Sequence, residues 1–374
     1  MSQQEPARGG AGGGNRAGGG NEAGAGNEAG GGNGEAPDYR AAAAAAVAAL
    51  QRWYSPWTGR WRTTGWWNAA NALTAVTGYT RRTGDQAYRE IIPTTFRAAQ
   101  RWYRGGRPGF INKFFDDNGW WALAWVDAYD LTGDHRYLDA AQAIFARNQG
   151  GWDEVCGGGL WWNTDRRYKN AITNELFLTL AARLAQRSPG AREHGEYLDW
   201  ALRTWEWLRG CGMIGPDGLV NDGLTAGCAN NGGPTWTYNQ GVILGGLATL
   251  CELTGDQGYL RAGERTADAA LRGLAGPAGI LAEPSETPGS DGDHTQFKGI
   301  FVRNLLDFHR LRAKPAYRAF ILANADSAWH RARNADGQYG LGWAGPFDKA
   351  DASRQSSAVE LLTAAAGLTA GPLR

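Results

Sequence analysis

Two consecutive aspartates, Asp116 and Asp117, lie between aromatic residues in the stretch 114–121, which reads Phe-Phe-Asp-Asp-Asn-Gly-Trp-Trp. An apolar helical pattern follows them. A carboxylate at the start of a helix accepts a free backbone N–H and interacts well with the helix dipole, so a helix cap is the simplest interpretation. The aromatic surroundings favour chemistry instead, because apolar burial and mutual repulsion raise the pKa of one carboxyl.

Paired carboxylates beside aromatic rings are the minimum set for hydrolysis of a glycosidic bond. One carboxylate attacks the anomeric carbon, and the other acid protonates the leaving oxygen. Neighbouring residues at the entry to a helix can place their carboxyl groups roughly 5–5.5 Å apart, the separation of a retaining mechanism. An inverting enzyme needs a wider gap for a water molecule. The pair therefore predicts a retaining glycosidase.

The composition of the 374-residue chain excludes several other classes. Its formal charge of +1 predicts no nucleic-acid partner and no attraction to acidic membranes. No apolar run is long enough to cross a membrane. The four cysteines lack Cys-x-x-Cys spacing, and no other ligand cluster is evident, so we expect no metal and no cofactor. Cys211 and Cys228 lie in one loop region and could pair, which the sequence leaves open.

Residues 1–37 consist of near-repeats of Gly, Ala, Asn and Glu with no large apolar residue after Met1. Such a segment cannot bury enough surface to offset the entropy of ordering. We therefore expect a disordered tail at 1–37 and a single catalytic domain at 38–374.

An internal repeat organises the rest of the chain. The pattern Thr-Gly-Asp-x-x-Tyr occurs at 83–88, 132–137 and 254–259, between an apolar run and an amphipathic run. Glycine just past one helix followed by aspartate ahead of the next is typical of a helix end and a helix start. Each repeat therefore predicts a helical hairpin with a tight turn.

The runs form two alternating sets of helices. One set is charged along one face and covers 39–54, 86–102, 135–148, 192–209, 257–272 and 315–331. The other is apolar nearly all round and covers 66–78, 118–131, 170–185, 238–253, 297–312 and 355–367. Helices apolar on every side are buried, whereas those with a charged face border solvent. The pattern predicts an all-α fold, an (α/α)6 barrel of six inner and six outer helices.

The predicted connections are unequal in length. The loops that lead into inner helices are long, at 55–65, 103–117, 149–169, 210–237, 273–296 and 332–354. All of them must lie on the face where the inner helices begin, and long loops on a rigid scaffold often carry function. Asp116 and Asp117 fall at the top of the second inner helix, and hence in the cup that these loops form.

The stretch 114–125, which continues the pattern above with Ala-Leu-Ala-Trp, resembles the signature of glycoside hydrolase family 76, the retaining endo-α-1,6-mannanases. The resemblance extends to Trp-Trp-Asn at 66–68, Lys-Asn-Ala-Ile at 169–172, Thr-Tyr-Asn-Gln-Gly at 237–241 and Phe-Lys-Gly-Ile-Phe at 297–301. It implies that Asp116 is the nucleophile and Asp117 the general acid/base. The implied partner is α-mannan or a manno-oligosaccharide, bound by a monomer.

Candidate sugar contacts are polar groups at the tops of inner helices and aromatic residues near the cup. The set comprises Asn68, Trp120, Trp162, Asn170, Asp222, Trp236, Tyr238, Asn239, Gln240 and Lys298. For any single polar member, a structural role such as helix capping or an Asx turn is the alternative. The tryptophans serve equally well as sugar platforms or as braces for the loops. Glu175, a turn inside the third inner helix, is expected to be structural.

Three alternatives keep the fold and change the activity. A transglycosidase would use the same two aspartates and exclude water. A non-catalytic mannan-binding protein would have no need of two mutually repelling carboxylates. A sugar epimerase would need paired histidines, and of the five present only His294 reaches a long loop.

Location stays open at this point. Residues 1–37 lack the basic, apolar and small-residue zones of a signal peptide, which makes the cytoplasm the default expectation. The resemblance implies secretion instead.

Overall fold

Twelve α-helices follow one another in residues 37–102, 109–276 and 278–370, which are the parts of the chain that the computed structural model describes. The predicted tail at 1–37 lies outside these residues except for Pro37. The odd-numbered helices are α1 Tyr39–Gln51, α3 Ile91–Trp102, α5 His135–Gln149, α7 Ala191–Gly210, α9 Gly258–Gly273 and α11 Pro315–Arg331. The even-numbered helices are α2 Trp66–Thr83, α4 Phe115–Thr132, α6 Ala171–Ala185, α8 Thr237–Thr254, α10 Phe297–Leu311 and α12 Ala352–Thr369. Between α1 and α2, strands β1 Tyr54–Ser55 and β2 Arg60–Trp61 form a small antiparallel hairpin.

The even-numbered helices form a closed inner ring. Each packs on the next, and α12 packs back on α2, while the odd-numbered helices pack on the outside. Nearly every residue of α6 and α8 is buried, as expected for helices with neighbours on all sides. This arrangement confirms the predicted (α/α)6 barrel.

Glycines set the closest approaches inside the ring. A Cβ added at Gly241 of α8 would lie 2.6 Å from the Cα of Phe301 on α10. A Cβ added at Gly299 of α10 would lie 2.6 Å from the Cα of Ser357 on α12. Because any side chain would push these backbones apart, the two glycines fix the spacing of three consecutive inner helices.

The repeated Thr-Gly-Asp turns have the predicted chemistry. Gly84, Gly133 and Gly255 end α2, α4 and α8 in the left-handed conformation, with φ of 78°, 72° and 75°. Asp134 then caps α5 by accepting the backbone N–H of Arg136. The start of the second outer helix differs from the predicted 86, since α3 begins at Ile91 and residues 87–90 form turns.

The disulfide joins two neighbouring long loops. Cys156, in the loop between α5 and α6, is bonded to Cys228, in the loop between α7 and α8. Cys211 is unpaired, so the pairing of Cys211 with Cys228, which the sequence left open, does not form. Proximity in sequence does not select the partner here, because the long loops pack on one another across the top of the barrel.

None of the helices in the described parts of the chain is long and apolar enough to cross a membrane.

Candidate active site

The start of α4 is tied to the neighbouring long loop. The backbone N–H of Phe115 donates to the carbonyl oxygen of Trp162 at 2.9 Å, and Phe114 pairs with Asn163 in an antiparallel bridge. Phe114 is the N-cap residue and makes no side-chain capping bond. Asp116 and Asp117 therefore lie in the first turn of the helix, and the interpretation of either as its N-cap is wrong.

Asp116 faces the loop between α5 and α6. Its Oδ2 accepts the indole N–H of Trp162 at 2.9 Å, and its Oδ1 accepts the backbone N–H of Asp117 at 3.0 Å. The Trp162 ring packs at 46° against that of Phe114, 5.0 Å away, which holds the indole in place. Trp162 was predicted as a sugar platform, and the structure gives it a direct bond to a member of the carboxylate pair.

Asp117 has a different partner, Asn112. The Nδ2 of Asn112 donates to Oδ2 of Asp117 at 2.6 Å. Asn112 is held by two further bonds, from its own N–H to Oδ1 of Asn118 at 2.8 Å and from the N–H of Phe114 to its Oδ1 at 2.7 Å. Asn118 in turn donates to Asn148 at 3.2 Å. A chain of buried amides thus orients the second carboxyl.

Burial changes the protonation of both carboxyls. It raises the pKa of Asp117 to about 7; the hydrogen bond from Asn112 opposes this rise, and the charge of Asp293 adds to it. Burial and then the charge of Asp117 raise the pKa of Asp116 well above its usual range, against the opposing hydrogen bonds to Asp116. Two neighbouring carboxyls of this kind cannot both ionise readily, so the pair retains one proton near neutral pH.

Aromatic rings form the floor beside the pair. Trp67 stacks on Trp120 with centroids 5.6 Å apart and packs on Phe297 at 5.9 Å. Tyr238 stacks on Phe297 at 3.8 Å, and Trp236 meets the same ring edge-on at 5.6 Å. Phe297 therefore joins rings from the tops of three inner helices into one apolar surface.

Asp222 lies in the loop between α7 and α8. Tyr168 donates a very short hydrogen bond to it and also accepts the side-chain N–H of Asn231 at 2.9 Å. Burial raises the pKa of Asp222, and burial followed by the charge of Asp222 raises the pKa of Tyr238. Asn170 forms an antiparallel backbone bridge with Gly223, the residue after Asp222. The buried side-chain Oδ1 of Asn170 has no partner within the described residues.

Three predicted sugar contacts are occupied by protein groups. Asn68 is bonded to Gln296 at 3.0 Å, and Gln240 bonds to both the N–H and the carbonyl of Val220 at 2.8 Å. Lys298 is almost fully buried and bonds at 2.6 Å both to Glu286 and to the carbonyl of Leu341. These side chains fasten the long loops to the barrel, and their contact with sugar stays a prediction.

Two further predicted residues lie beneath the surface. Trp120 is 3% exposed under Trp67 and Tyr238, and Asn239 is completely buried with no side-chain partner among the described residues. Glu175 is likewise buried without a hydrogen-bond partner in the described chain, and burial raises its pKa well above the usual range. Trp236 is half-buried, and Tyr238 is buried but for 9% of its surface.

Sequence reasoning missed four residues around the pair, namely Trp67, Asn112, Tyr168 and Asp293. Trp67 lies within the recognised pattern at 66–68 and Tyr168 directly precedes the one at 169–172, which was the available signal. Asn112 and Asp293 lie in loops whose folding brings them to the pair. Within the described residues, no group of three or more His, Cys, Asp or Glu is placed to hold a metal ion.

The family model described as "Glycosyl hydrolase family 76" matches residues 38–373. The chain belongs to this family. The chain is similar to curated proteins. One is a putative mannan endo-1,6-alpha-mannosidase of Schizosaccharomyces pombe, which is 31% identical over 64% of this chain and 58% of its own length. The mannan endo-1,6-alpha-mannosidase DFG5 of Candida albicans is 30% identical over 67% of this chain and 60% of its own length. The matched region thus spans about three fifths of these relatives.

A solved family 76 structure has a similar fold over nearly its whole length. It is an inactive variant of the α-1,6-mannanase GH76A from Salegentibacter sp. HEL1_6 in complex with α-1,6-mannotriose, in which two consecutive aspartates are replaced by asparagine. The TM-score is 0.78 at 25% identity, with 88% of this chain and 99% of that chain covered.

Proposed function

We propose that this family 76 protein is a retaining glycoside hydrolase that cleaves α-1,6-mannosidic linkages in mannan-type polysaccharide. The observation that carries the proposal is the consecutive pair Asp116–Asp117, whose members have separate hydrogen-bond partners beside an aromatic floor. The names of the curated relatives and the mannotriose bound by the solved relative support the linkage and the sugar.

The first step forms a covalent intermediate. The Asp116 carboxylate attacks the anomeric carbon while Asp117 gives its proton to the glycosidic oxygen, so the bond from that carbon to oxygen breaks as the ester forms. The N–H donors from Trp162 and from the Asp117 backbone keep Asp116 aligned and favour its ionised form. Asp117 is suited to the acid role, because a carboxyl with a pKa of about 7 still holds its proton in mildly acidic solution.

The second step releases the sugar. Asp117, now ionised, accepts a proton from a water molecule whose oxygen attacks the same carbon, and the ester bond to Asp116 breaks. Two inversions leave the product with the α-configuration of the substrate. Trp236, Tyr238, Asn170 and Asp222 are proposed to contact the sugar. Trp236 and Asp222 are half-buried, Tyr238 stacks in the aromatic floor, and the Oδ1 of Asn170 has no partner within the described residues.

Product analysis tests this function. The protein is mixed with α-1,6-mannan, and the anomeric protons of the products are followed by NMR before mutarotation equilibrates them. We expect short manno-oligosaccharides that appear first as the α-anomer, and none with the double variant Asp116→Asn/Asp117→Asn. Initial β-anomer would reject retention. Longer chains in place of shorter ones would indicate transglycosylation, and bound but uncut mannan would indicate a binding protein.

Activity is expected to decrease above a pH of about 7, because the pKa of Asp117 is raised to about 7 and proton donation requires its protonated form. In that range kcat/KM on a manno-oligosaccharide should decrease about tenfold per pH unit. A second decrease is expected at more acidic pH, where the pair takes up its second proton and no carboxylate is left to act as the nucleophile. The apparent pKa values of both decreases belong to the Asp116–Asp117 pair as a whole.

An α-mannobiosyl fluoride is the control substrate for this pH profile, since fluoride leaves without a proton donor. Its kcat/KM should not decrease above a pH of about 7. The same decrease above pH 7 with both substrates would contradict the acid role of Asp117.

A further inference from the structure

Asp293 is an exposed carboxylate near the catalytic pair that the mechanism above does not use. It opens the short 3-10 turn Asp293–Gln296, directly before α10. Its Oδ1 accepts the indole N–H of Trp67 at 3.0 Å, and its Oδ2 has no hydrogen-bond partner in the described parts of the chain. One oxygen is thus fixed by the protein, and the other faces solvent.

The turn that carries Asp293 is held on two sides. Trp67 is itself fixed by stacking on Trp120 and by packing on Phe297. On the other side, the ring of His294 stacks on Trp236 with centroids 6.4 Å apart and planes 18° from parallel. The carboxylate is therefore presented from a rigid aromatic frame, which lowers the entropy cost of binding a ligand there.

Asp293 lies on the Asp117 side of the pair. Its hydrogen-bond partner Trp67 stacks on Trp120, one turn after Asp117 on α4, and the charge of Asp293 adds to the burial that raises the pKa of Asp117. Asp116 instead faces Trp162 on the opposite loop. The proton donor must touch the glycosidic oxygen, which leaves with the departing sugar, so the departing sugar lies next to Asp117.

We propose that Asp293, oriented by Trp67, forms the binding subsite for the leaving-group mannosyl unit by accepting hydrogen bonds from its hydroxyl groups. A carboxylate is an acceptor only, and two neighbouring sugar hydroxyls supply the donors that it needs. Bonds to a charged acceptor are about twice as strong as neutral ones. The subsite rests on the proposed function, since that function defines which sugar leaves.

The test compares a substrate with a leaving-group sugar and one without. The variant Asp293→Asn is assayed on α-1,6-mannotetraose and on α-mannobiosyl fluoride, whose leaving group is a fluoride ion. We expect kcat/KM to fall roughly 10- to 100-fold on the tetrasaccharide, the size of lost bonds to a charged group. On the fluoride, kcat/KM should be unchanged, because no sugar fills the subsite during the first step.

Two further variants sharpen the comparison. Trp67→Phe keeps a ring on the aromatic floor but removes the N–H that orients Asp293, and it should give a smaller loss with the same preference for the tetrasaccharide. Asp336→Asn removes an exposed carboxylate from another long loop and should change neither rate. Thermal melting of each variant confirms that the fold is intact.

Four outcomes would overturn the subsite. Equal losses on both substrates would mean that Asp293 acts on the nucleophile, and an unchanged tetrasaccharide rate would mean that no sugar binds there. A loss on the tetrasaccharide that comes only from a shift of its alkaline decrease to lower pH would mean that Asp293 acts through the pKa of Asp117. If the parent protein cleaves neither substrate, the proposed function fails and the subsite with it, a result distinct from the other three.

Discussion

The substitution Asp116→Asn is expected to lower kcat on α-1,6-mannan and on α-mannobiosyl fluoride alike, by roughly 10⁴- to 10⁶-fold, the range seen when a nucleophile is lost. The amide cannot form the ester, whatever the leaving group. Asn has nearly the same size, so the fold should stay in place, although its one amide oxygen can keep only one of the two bonds, that from the Trp162 indole or that from the Asp117 backbone N–H.

Asp117→Asn should behave differently on the two substrates. On mannan the loss of the proton donor is expected to cost roughly 10²- to 10⁴-fold. On the fluoride the first step needs no acid, while the second step lacks its base. The covalent intermediate should therefore accumulate and appear as an added mannobiosyl mass on the protein.

Peptide mass spectrometry then locates the ester. We expect it on Asp116, with Asp336→Asn as a control that turns over normally and shows no accumulation. An ester on another residue would overturn the assignment of Asp116 as nucleophile. Full activity of both single variants would mean that neither Asp116 nor Asp117 takes part in the reaction.

The largest effect on stability is expected at Lys169, which fastens the loop between α5 and α6. Its side chain is 1% exposed, and its ammonium donates to the carbonyl oxygens of Val155 and Gly158 at 2.7 Å and to Asp153 at 2.8 Å. It also lies 4.9 Å from the centre of the Trp161 ring. One buried cation thus satisfies several acceptors of a single loop.

Lys169→Met should lower the free energy of unfolding by about 3 kcal/mol, the lower end for a broken buried ion pair. The lower end applies because Asp153 keeps contact with water and with the Trp161 indole N–H at 2.6 Å. Activity should decrease as well, since the same loop carries Trp162, the partner of Asp116. Denaturant unfolding and mannan hydrolysis measure the two effects.

Arg166→Met is the matched control for Lys169. Arg166 also pairs with Asp153, at 3.3 Å, but its side chain is 50% exposed. Exposed pairs of this kind contribute roughly 0–1 kcal/mol, so the control should unfold nearly like the parent. If the two variants lost equal stability, burial of Lys169 would not be what secures the loop.

Local sequence signals were sufficient to predict the barrel and to place the Asp116–Asp117 pair at the start of an inner helix. Apolar periodicity and the Thr-Gly-Asp turns are local signals, because each depends on residues within a few positions of one another. The alternation of buried and half-solvated helices then leaves a ring as the arrangement that buries every inner face. Asp116 and Asp117 are neighbours in sequence, so their proximity needed no tertiary information.

The surroundings of the pair depend on contacts between segments that are far apart in sequence. The bond from Trp162 to Asp116 joins residues 46 positions apart, and that from Trp67 to Asp293 joins residues 226 apart. The same holds for the disulfide that links Cys156 to Cys228 across two loops. These contacts depend on how long loops from different hairpins fold over one another. No local pattern encodes that packing, because the free energy that selects it comes from burial and hydrogen bonds between distant segments.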